Sequence, residues 1–470
     1  TKGLYLDEAR NAVTASLFWD DTAPTDSVFT IGDFSSINAS GRNYVAYLFA
    51  SDAGGYGDDG TENIIKCGTF TTNSASTPAD IDLGFEPQFF MYKPSNIAGN
   101  WFMADTMRGW TAQNTSGESA ETYLYANLTA AESSPNTWGS SPNATGINWR
   151  AEGLTANDTY IYMAIRRPMK TPEAGTEVYA TIARAGNNVT TQIPTGFTTD
   201  MFLSTTRNQT WYHAAVWDRL RGTSKFVLTS TTGAEQGNTA QFTSFDQDGI
   251  TVGPDSSGWI NNAGATYVYN LFKRATGFMD VIAYRGDESG TFQAVPHNLT
   301  VIPELVIIKP RNTGDAWQCG SQFGATQFAF TAFNSSNGYG LRNYNSGYGD
   351  YYSAPTSTAV NVLGSLRDEN TDFVGYLFAT LAGVSKVGTY TATGSNLNVD
   401  CGFTAGARFI LIKRTDSAGD FYTWDSVRGI SAGSNDPYLL LNDSAVEVTN
   451  TDYVDPLNAG FTVTSNASST

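Results

Sequence analysis

Two histidines and three cysteines in 470 residues leave little material for catalysis or metal binding. His213 and His297 stand at non-equivalent places, and a triad or a metal site needs convergent side chains. The odd thiol count rules out complete pairing. Cys67 and Cys401 occupy positions where related segments carry Val387 and Leu83. They are expected to act as small buried hydrophobes, with no disulfide, no metal and no cofactor. Basic residues are also scarce, 27 Lys and Arg against 45 Asp and Glu, for a net charge of −18. A phosphate backbone needs a basic face, so nucleic acid is excluded as a partner, and anionic membrane surfaces are disfavoured. No apolar run approaches the roughly 18 residues that cross a bilayer, so no membrane insertion is expected. The chain opens at Thr1 without an initiator Met or a signal peptide, and the native polypeptide is expected to begin elsewhere.

What is abundant is aromatic and β-branched. Aromatics make up 13% of the chain and charged residues only 15%. Gly, Asn and Asp punctuate it every ten residues or so, as turns between short strands do. The class is therefore all-β. At this length one core is not enough, and three or four domains are expected.

The chain repeats itself. Tyr44 to Phe49, Tyr160 to Ile165, Tyr267 to Phe272 and Phe373 to Phe378 are versions of one late strand, spaced by about 106 to 116 residues. An early apolar run ending in Lys appears as Phe89 to Lys93, Leu305 to Lys309 and Phe409 to Lys413. Continuous apolar character marks a strand covered on both faces. Asp105 to Gly109 recurs as Asp218 to Gly222 and Asp425 to Gly429, and Gly249-Ile250-Thr251-Val252 resembles Gly460 to Val463 and Val28 to Ile31. The fold expected is a tandem array of two-sheet β-sandwiches, jelly-roll or lectin-like, of about 106 residues each. The boundaries read as the C-terminal half of a repeat at 1–52 and an acidic, Gly-rich linker at 53–63. Complete repeats follow at 64–172 and 173–277, then a divergent one at 278–383. The last, at 384–470, lacks its final strand. The two partial ends duplicate the same strands, so the simplest reading is an excerpt of a longer array. Four units in line would make a rod.

Three features invite a chemical reading. Gly55, Gly57 and Gly60 spell Gly-x-Gly-x-x-Gly, but a strand-like segment from Ile64 to Phe70 follows, where a dinucleotide site needs a helix. Asp52, Asp58, Asp59 and Glu62 in the same loop could hold calcium, although their spacing misses the calcium-loop pattern and a solvated linker is the simpler account. The recurring acidic–basic set is Asp105, Arg108 and Glu132; Asp218, Arg221 and Glu235; Asp425, Arg428 and Glu447. An Arg flanked by two acids is either a fixed structural network or a ligand site repeated once per domain. The structural reading is preferred because each copy supplies its own counter-charges. Trp110, Trp138, Trp149, Trp211 and Trp259 lie in expected loops and are candidates for stacking on glycan rings, against the alternative that they cover the ends of sandwiches. Asn-x-Ser/Thr sequons such as Asn127-Leu128-Thr129 follow from the composition and carry no argument of their own.

Taken together, Gly84-Phe85-Glu86-Pro87 with Lys93, Asp105 to Gly109, Ala130-Ala131-Glu132, Asp20 to Thr25 with Val28 to Thr30, and Asn38 and Gly41 before Tyr44 to Tyr47 resemble a repeat domain of unassigned function. That family is found in structural proteins of tailed, especially marine, bacteriophages. Residues 278–383 depart from it, lacking the Asp-x-x-Arg-Gly element and carrying an Asn/Gly/Tyr-rich segment from Asn334 to Tyr352 instead. The resemblance implies a virion structural protein at the particle surface: a fibre or appendage on tail or head, contacting other virion proteins, copies of itself and a host-surface glycan. It assigns no catalytic residue, and the chain is read as a non-enzyme. The alternatives are a bacterial cell-surface adhesin that binds carbohydrate and, less favoured, a glycoside hydrolase using paired carboxylates.

Overall fold

The computed structural model describes residues 2–14, 16–57, 59–73, 80–112, 122–133, 140–149, 154–237, 241–288, 292–321, 323–324, 326–344 and 351–469. The chain is nearly all β and divides into two compact units. One comprises residues 1–113 and 117–168, the other residues 114–116 and 169–470.

Within the first unit, a main sheet runs in the order Ile65–Thr71, Thr159–Arg166, Pro87–Pro94, Phe102–Asp105 and Tyr123–Tyr125. A small sheet of Ile81–Asp82, Gly146–Trp149 and Ser140–Asn143 packs against it. Between the two lies an aromatic core of Phe85, Phe90, Tyr92, Trp110, Ile147, Trp149 and Tyr160. Strand alternation explains the filling. Tyr160, Tyr162 and Ala164 point inward and are buried, while Ile161, Met163 and Ile165 point outward and are only half-buried. Cys67, expected inside, lies on the exposed side of Ile65–Thr71. Its alignment with Val387 had located the strand without locating the face.

In the second unit the same plan recurs. The repeat from 173 has a main sheet of Tyr179–Ala185, Thr266–Phe272, Met201–Thr206, Ala215–Asp218, Lys225–Leu228 and Gln236–Gly237. The next orders Met279–Arg285, Asp372–Phe378, Leu305–Pro310, Gln318–Ser321, Gln327–Ala332 and Gly340–Asn343 in the same way. The last keeps Phe409–Lys413, Phe421–Asp425 and Leu439–Leu440, with Leu397–Asp400, Gly460–Val463 and Val454–Leu457 opposite. Register makes the correspondence explicit. Phe89 faces Asp105, Met201 faces Asp218, Leu305 faces Ser321 and Phe409 faces Asp425.

The central strands of the second and third repeats are buried on both faces, Met201 to Thr206 throughout. One face meets the small sheet. The other meets neighbouring repeats, because the three repeats of this unit contact one another in a cycle. The third leans on the second through Trp317, whose indole N–H donates to the Leu228 carbonyl at 2.8 Å. The fourth leans on the third through Phe421 against Phe333, ring centres 4.5 Å apart. The second leans on the fourth through Thr229, whose hydroxyl donates to the Leu441 carbonyl, and Arg408 of the fourth donates to the Tyr179 carbonyl at 2.8 Å. These three repeats are therefore not strung in line as expected. The outer face of each main sheet is too apolar to meet water, and closing the cycle covers it.

The small sheets share a constraint. A Cβ built on Gly146, Gly249 or Gly460 would lie 1.9, 2.0 or 2.1 Å from the carbonyl oxygen of Ile81, Ile193 or Val399 on the opposing strand. Gly249 also has φ +112, a region that L side chains rarely adopt. Gly249→Ala is expected to cost about 1–3 kcal/mol, as overpacking does. Gly233→Ala, at an exposed position whose nearest neighbour is the Thr231 hydroxyl at 3.5 Å, should be near-neutral. Urea denaturation of both variants checks this, and equal midpoints would contradict it.

Candidate functional site

The recurring Asp–x–x–Arg element opens on the last residue of Phe102–Asp105, Ala215–Asp218 or Phe421–Asp425, after which the chain turns back through a glycine of positive φ: Gly109, Gly222 or Gly429. The geometry is the same in three repeats. Asp218 Oδ1 accepts the Arg221 backbone N–H at 3.0 Å and its Oδ2 accepts Arg221 Nε at 2.6 Å, while Arg221 Nη2 donates to the Val216 carbonyl at 2.9 Å. Arg428 makes the matching bonds to Asp425 and, at 3.0 Å, to the Thr423 carbonyl. Arg108 bonds Asp105 at 2.6 Å and reaches the Met103 carbonyl at 3.4 Å. A local ring of bonds thus staples each turn to its own strand.

The third member of the set divides the copies. Glu235 accepts Arg221 Nη1 at 3.3 Å, and from the next repeat Arg311 donates through Nε at 2.9 Å and Nη2 at 3.1 Å. Glu447 accepts Arg428 Nη1 at 3.2 Å, and Arg207 of the second repeat donates at 3.0 and 2.8 Å. Arg207 and Arg311 occupy the same place, just beyond the central strand. Each backbone carbonyl also accepts the amide of its glutamate, Glu235 to Arg311 at 2.6 Å and Glu447 to Arg207 at 2.8 Å. The sites are therefore junctions between repeats. Tyr376 completes the first, taking a bond from Arg221 Nη2 and donating to Asp218 Oδ2, both at 2.8 Å. Glu132, by contrast, is exposed, and no Arg pairs with it among the described residues. In the first unit the half-repeat meets the first repeat through the Ala12 amide, which donates to the Ser95 carbonyl at 2.9 Å, and through Asp52 beside Lys66.

Electrostatics follow burial. The side chains of Asp218 and Arg221 are fully buried. Burial disfavours the guanidinium charge, but Asp218, Tyr376 and Glu235 outweigh it and hold Arg221 protonated above its ordinary range. Burial likewise opposes the charge on Glu235, and Arg311 and then Arg221 keep its carboxyl below the usual carboxylate range. Beside this junction Lys309 Nζ donates to the carbonyls of Thr232, Pro310 and Asp315 at 3.1, 2.9 and 2.8 Å. Lys93 and Lys413 mark the corresponding contacts, on the Glu8 carbonyl at 3.3 Å and the Ser336 carbonyl at 3.1 Å. The apolar run "ending in Lys" is a docking device in each case. Arg207, Arg311 and Tyr376 were not picked out from sequence. The two arginines each stand just past the central strand, but register across two different repeats was needed to read that as a signal.

His213 Nδ1 pairs with Ser230 Oγ, in the place where Asn127 bonds Asn100 and Asn442 bonds Asp420. It is one variant of a strand-end clamp. His297 bonds the Thr356 carbonyl and the Leu299 amide in a different repeat. In the acidic loop, Asp52 pairs with Lys66 and Glu62 with Arg166, and Asp59 accepts two bonds from Thr61; Asp58 lies outside the described residues. Among the described residues no three His, Cys, Asp or Glu side chains gather as metal ligands would. Of the tryptophans, Trp110 and Trp149 prove to be core, correcting their assignment to a glycan surface: Trp110 turns back between the sheets and bonds the Ser140 carbonyl, and Trp149 ends the strand Gly146–Trp149 with its ring in the core. Trp259 is half-buried against Phe226 and Tyr212. Trp138 lies outside the described residues. Trp211 alone stands clear, 83% exposed with φ +78.

A family model matches residues 1–168 and 174–470, and its description is a domain of unknown function, DUF7483. The chain belongs to the DUF7483 family. No curated protein matches it. The DUF7483 match spans the repeats on both sides of 168 and therefore the junctions described above.

Two measurements test the junction. Arg221→Ala strands the buried Asp218 carboxylate and takes from Glu235 one of its two arginines, and is expected to cost about 3–5 kcal/mol. Arg108→Ala, whose partner is one-fifth exposed, should cost at most about 1 kcal/mol. Denaturant unfolding that gives equal losses would refute the difference. Burial also pushes the Lys309 amine down to about 8, with Asp315 opposing. The folded chain then holds this proton less tightly than the unfolded chain. The group disfavours folding below pH about 8, and that penalty is relieved as pH rises towards the ordinary lysine value. Carbon-13 labelling of lysine Cε should reveal one resonance titrating near 8. If every lysine titrates near its ordinary value, this expectation fails.

Proposed function

We propose that this DUF7483 chain is a structural component of a tailed-bacteriophage virion, a fibre or surface appendage that projects from tail or head and contacts the host. The observation that supports a structural role most directly is where its recurring charged chemistry is spent. The charged triplets Asp218, Arg221, Glu235 and Asp425, Arg428, Glu447 are taken up by Arg311 and Arg207 of adjoining repeats, so they join repeats. The placement on a virion rests on the resemblance to repeats of phage structural proteins, and the acidic surface suits an extracellular assembly present in many copies. A second reading, a bacterial surface adhesin, is favoured by one observation. Trp211 presents a free aromatic face of the kind that stacks on sugars.

Immunogold labelling of source particles with an antibody to this chain tests the first reading. Label is expected on appendages of the virion. Label confined to cell envelopes would overturn it and favour the adhesin, whose glycan binding should then fall at least about tenfold in Trp211→Ala.

A further inference from the structure

We propose that the cleft between the second and fourth repeats, with the loop from Arg207 to Ala214 beside it, binds a neutral oligosaccharide. This deepens the surface-contact reading given above, on which it rests, by placing the glycan on the chain.

The second repeat departs from the common plan at this loop. In the first, third and fourth repeats the lysine that ends the apolar run bonds the loop carbonyl of Gly99, Asp315 or Gly419. Thr205 stands in its place in the second repeat, so no docking lysine grips the loop. The loop is also one residue longer, since Met201 faces Asp218 where Phe89, Leu305 and Phe409 face Asp105, Ser321 and Asp425. Counted back from the following strand, Trp211 replaces Ala98, Gly314 and Ala418.

Trp211 is a costly residue to keep there. Its ring is 83% exposed and its backbone has φ +78, which a bulky side chain adopts only where the surroundings impose it. Clamps at both ends of the loop do so. Asn208 accepts the Thr266 amide at 2.8 Å and donates to the Gly264 carbonyl at 3.2 Å. The Tyr212 carbonyl accepts the Thr206 hydroxyl at 3.2 Å, and the Tyr212 ring packs edge-on against Trp259, 5.8 Å between centres. An aromatic ring on a loop held in this way is preorganised for stacking, and little ordering entropy is lost on binding.

The cleft supplies the polar partners. Its volume is about 460 Å³, and it opens beside Arg207, Thr266, Val446, Glu447 and Thr449. Asn208 lines it too, and Trp211 follows in the same loop, at most about 11 Å further along the backbone. Arg207 gives Nε and Nη2 to Glu447, and among the described residues nothing accepts from its Nη1. Its side chain is 28% exposed, whereas Arg311 in the matching bridge is only 3% exposed. The bridge itself therefore does not require an opening. The hydroxyls of Thr266 and Thr449 also bond no described residue.

Charge decides the ligand class. Arg207 and Arg428 are balanced by Glu447 and Asp425, so the cleft offers an ion no net charge, and a chain of −18 repels anions. What remains is a set of N–H donors, two free hydroxyls and the exposed Val446 side chain. Hydroxyl-rich rings with an apolar C–H face match that set.

The test is saturation-transfer NMR on the full chain, with maltose, cellobiose and N,N′-diacetylchitobiose as neutral probes and digalacturonate as the acidic one. At least one neutral disaccharide is expected to bind, and digalacturonate is not. Thr266→Val and Thr449→Val remove the hydroxyls with the shape retained, and each should weaken binding about threefold to tenfold. Trp211→Ala should weaken it at least about tenfold. Since neither hydroxyl bonds the described protein, both threonine variants should melt at the parent temperature. Failure of all three neutral probes to bind overturns the proposal, as does tighter binding of digalacturonate. Binding that is lost in Trp211→Ala yet unchanged in both threonine variants overturns the cleft while leaving the surface-contact reading in place. These readouts use purified protein and can fail independently of where the chain resides on a particle.

Discussion

A carboxylate held out of water between guanidiniums from two repeats is the interaction on which the second unit depends. Arg221 is committed to Asp218 within its own turn, and Glu235 is shared between Arg221 and Arg311. Each group would be costly to bury alone, and each is tolerable only while the others are present. The network therefore does more to specify which surfaces meet than to add net stability. Apolar sheet faces could slide over one another, but a bidentate Arg fixes the register at which they stop.

The cycle is built from unequal joints. Two of the three carry the Arg–Glu bridge. Among the described residues the joint between third and fourth repeats has no such pair: Ser321 stands where the others have Asp and Thr415 where the others have Arg. Phe333 against Phe421 and Lys413 on the Ser336 carbonyl take its place. The divergent third repeat, with Tyr352 from its Asn/Gly/Tyr-rich segment fully buried in the core, has exchanged charge for aromatic packing at both the joint and the interior. A common backbone plan thus tolerates two chemistries at one interface, provided that each leaves no polar group unpaired.

Periodicity made the fold readable. The late strand and the Lys-terminated run recur with enough fidelity to fix strand order, and the Gly of Gly249-Ile250 is explained by its approach to the Ile193 carbonyl. What periodicity does not encode is which neighbour a surface meets. Glu235 and Glu447 look alike in sequence whether their partner is the following repeat or one two places back, because the closing contact between Arg207 and Glu447 joins residues far apart in the chain. Side-chain direction was similarly hidden. Trp110 and Trp149 were placed in loops, but Trp149 ends a strand and shares its buried face with Ile147, while Trp110, in a loop at the mouth of the sandwich, could turn either way and the size of its ring favours inward.

Closure of the cycle also changes how the polypeptide carries force. In a simple string each connector is in series, and cutting one parts the chain. Here the second and fourth repeats are tied directly, by Arg207 to Glu447 and by Arg408 to the Tyr179 carbonyl. A proteolytic nick in the connector near Gly277 or Gly383 would leave all three repeats attached by parallel paths, and tension applied across the unit would be shared by interfaces as well as by peptide bonds. Such a body tolerates backbone damage in a way that an open chain of the same domains does not.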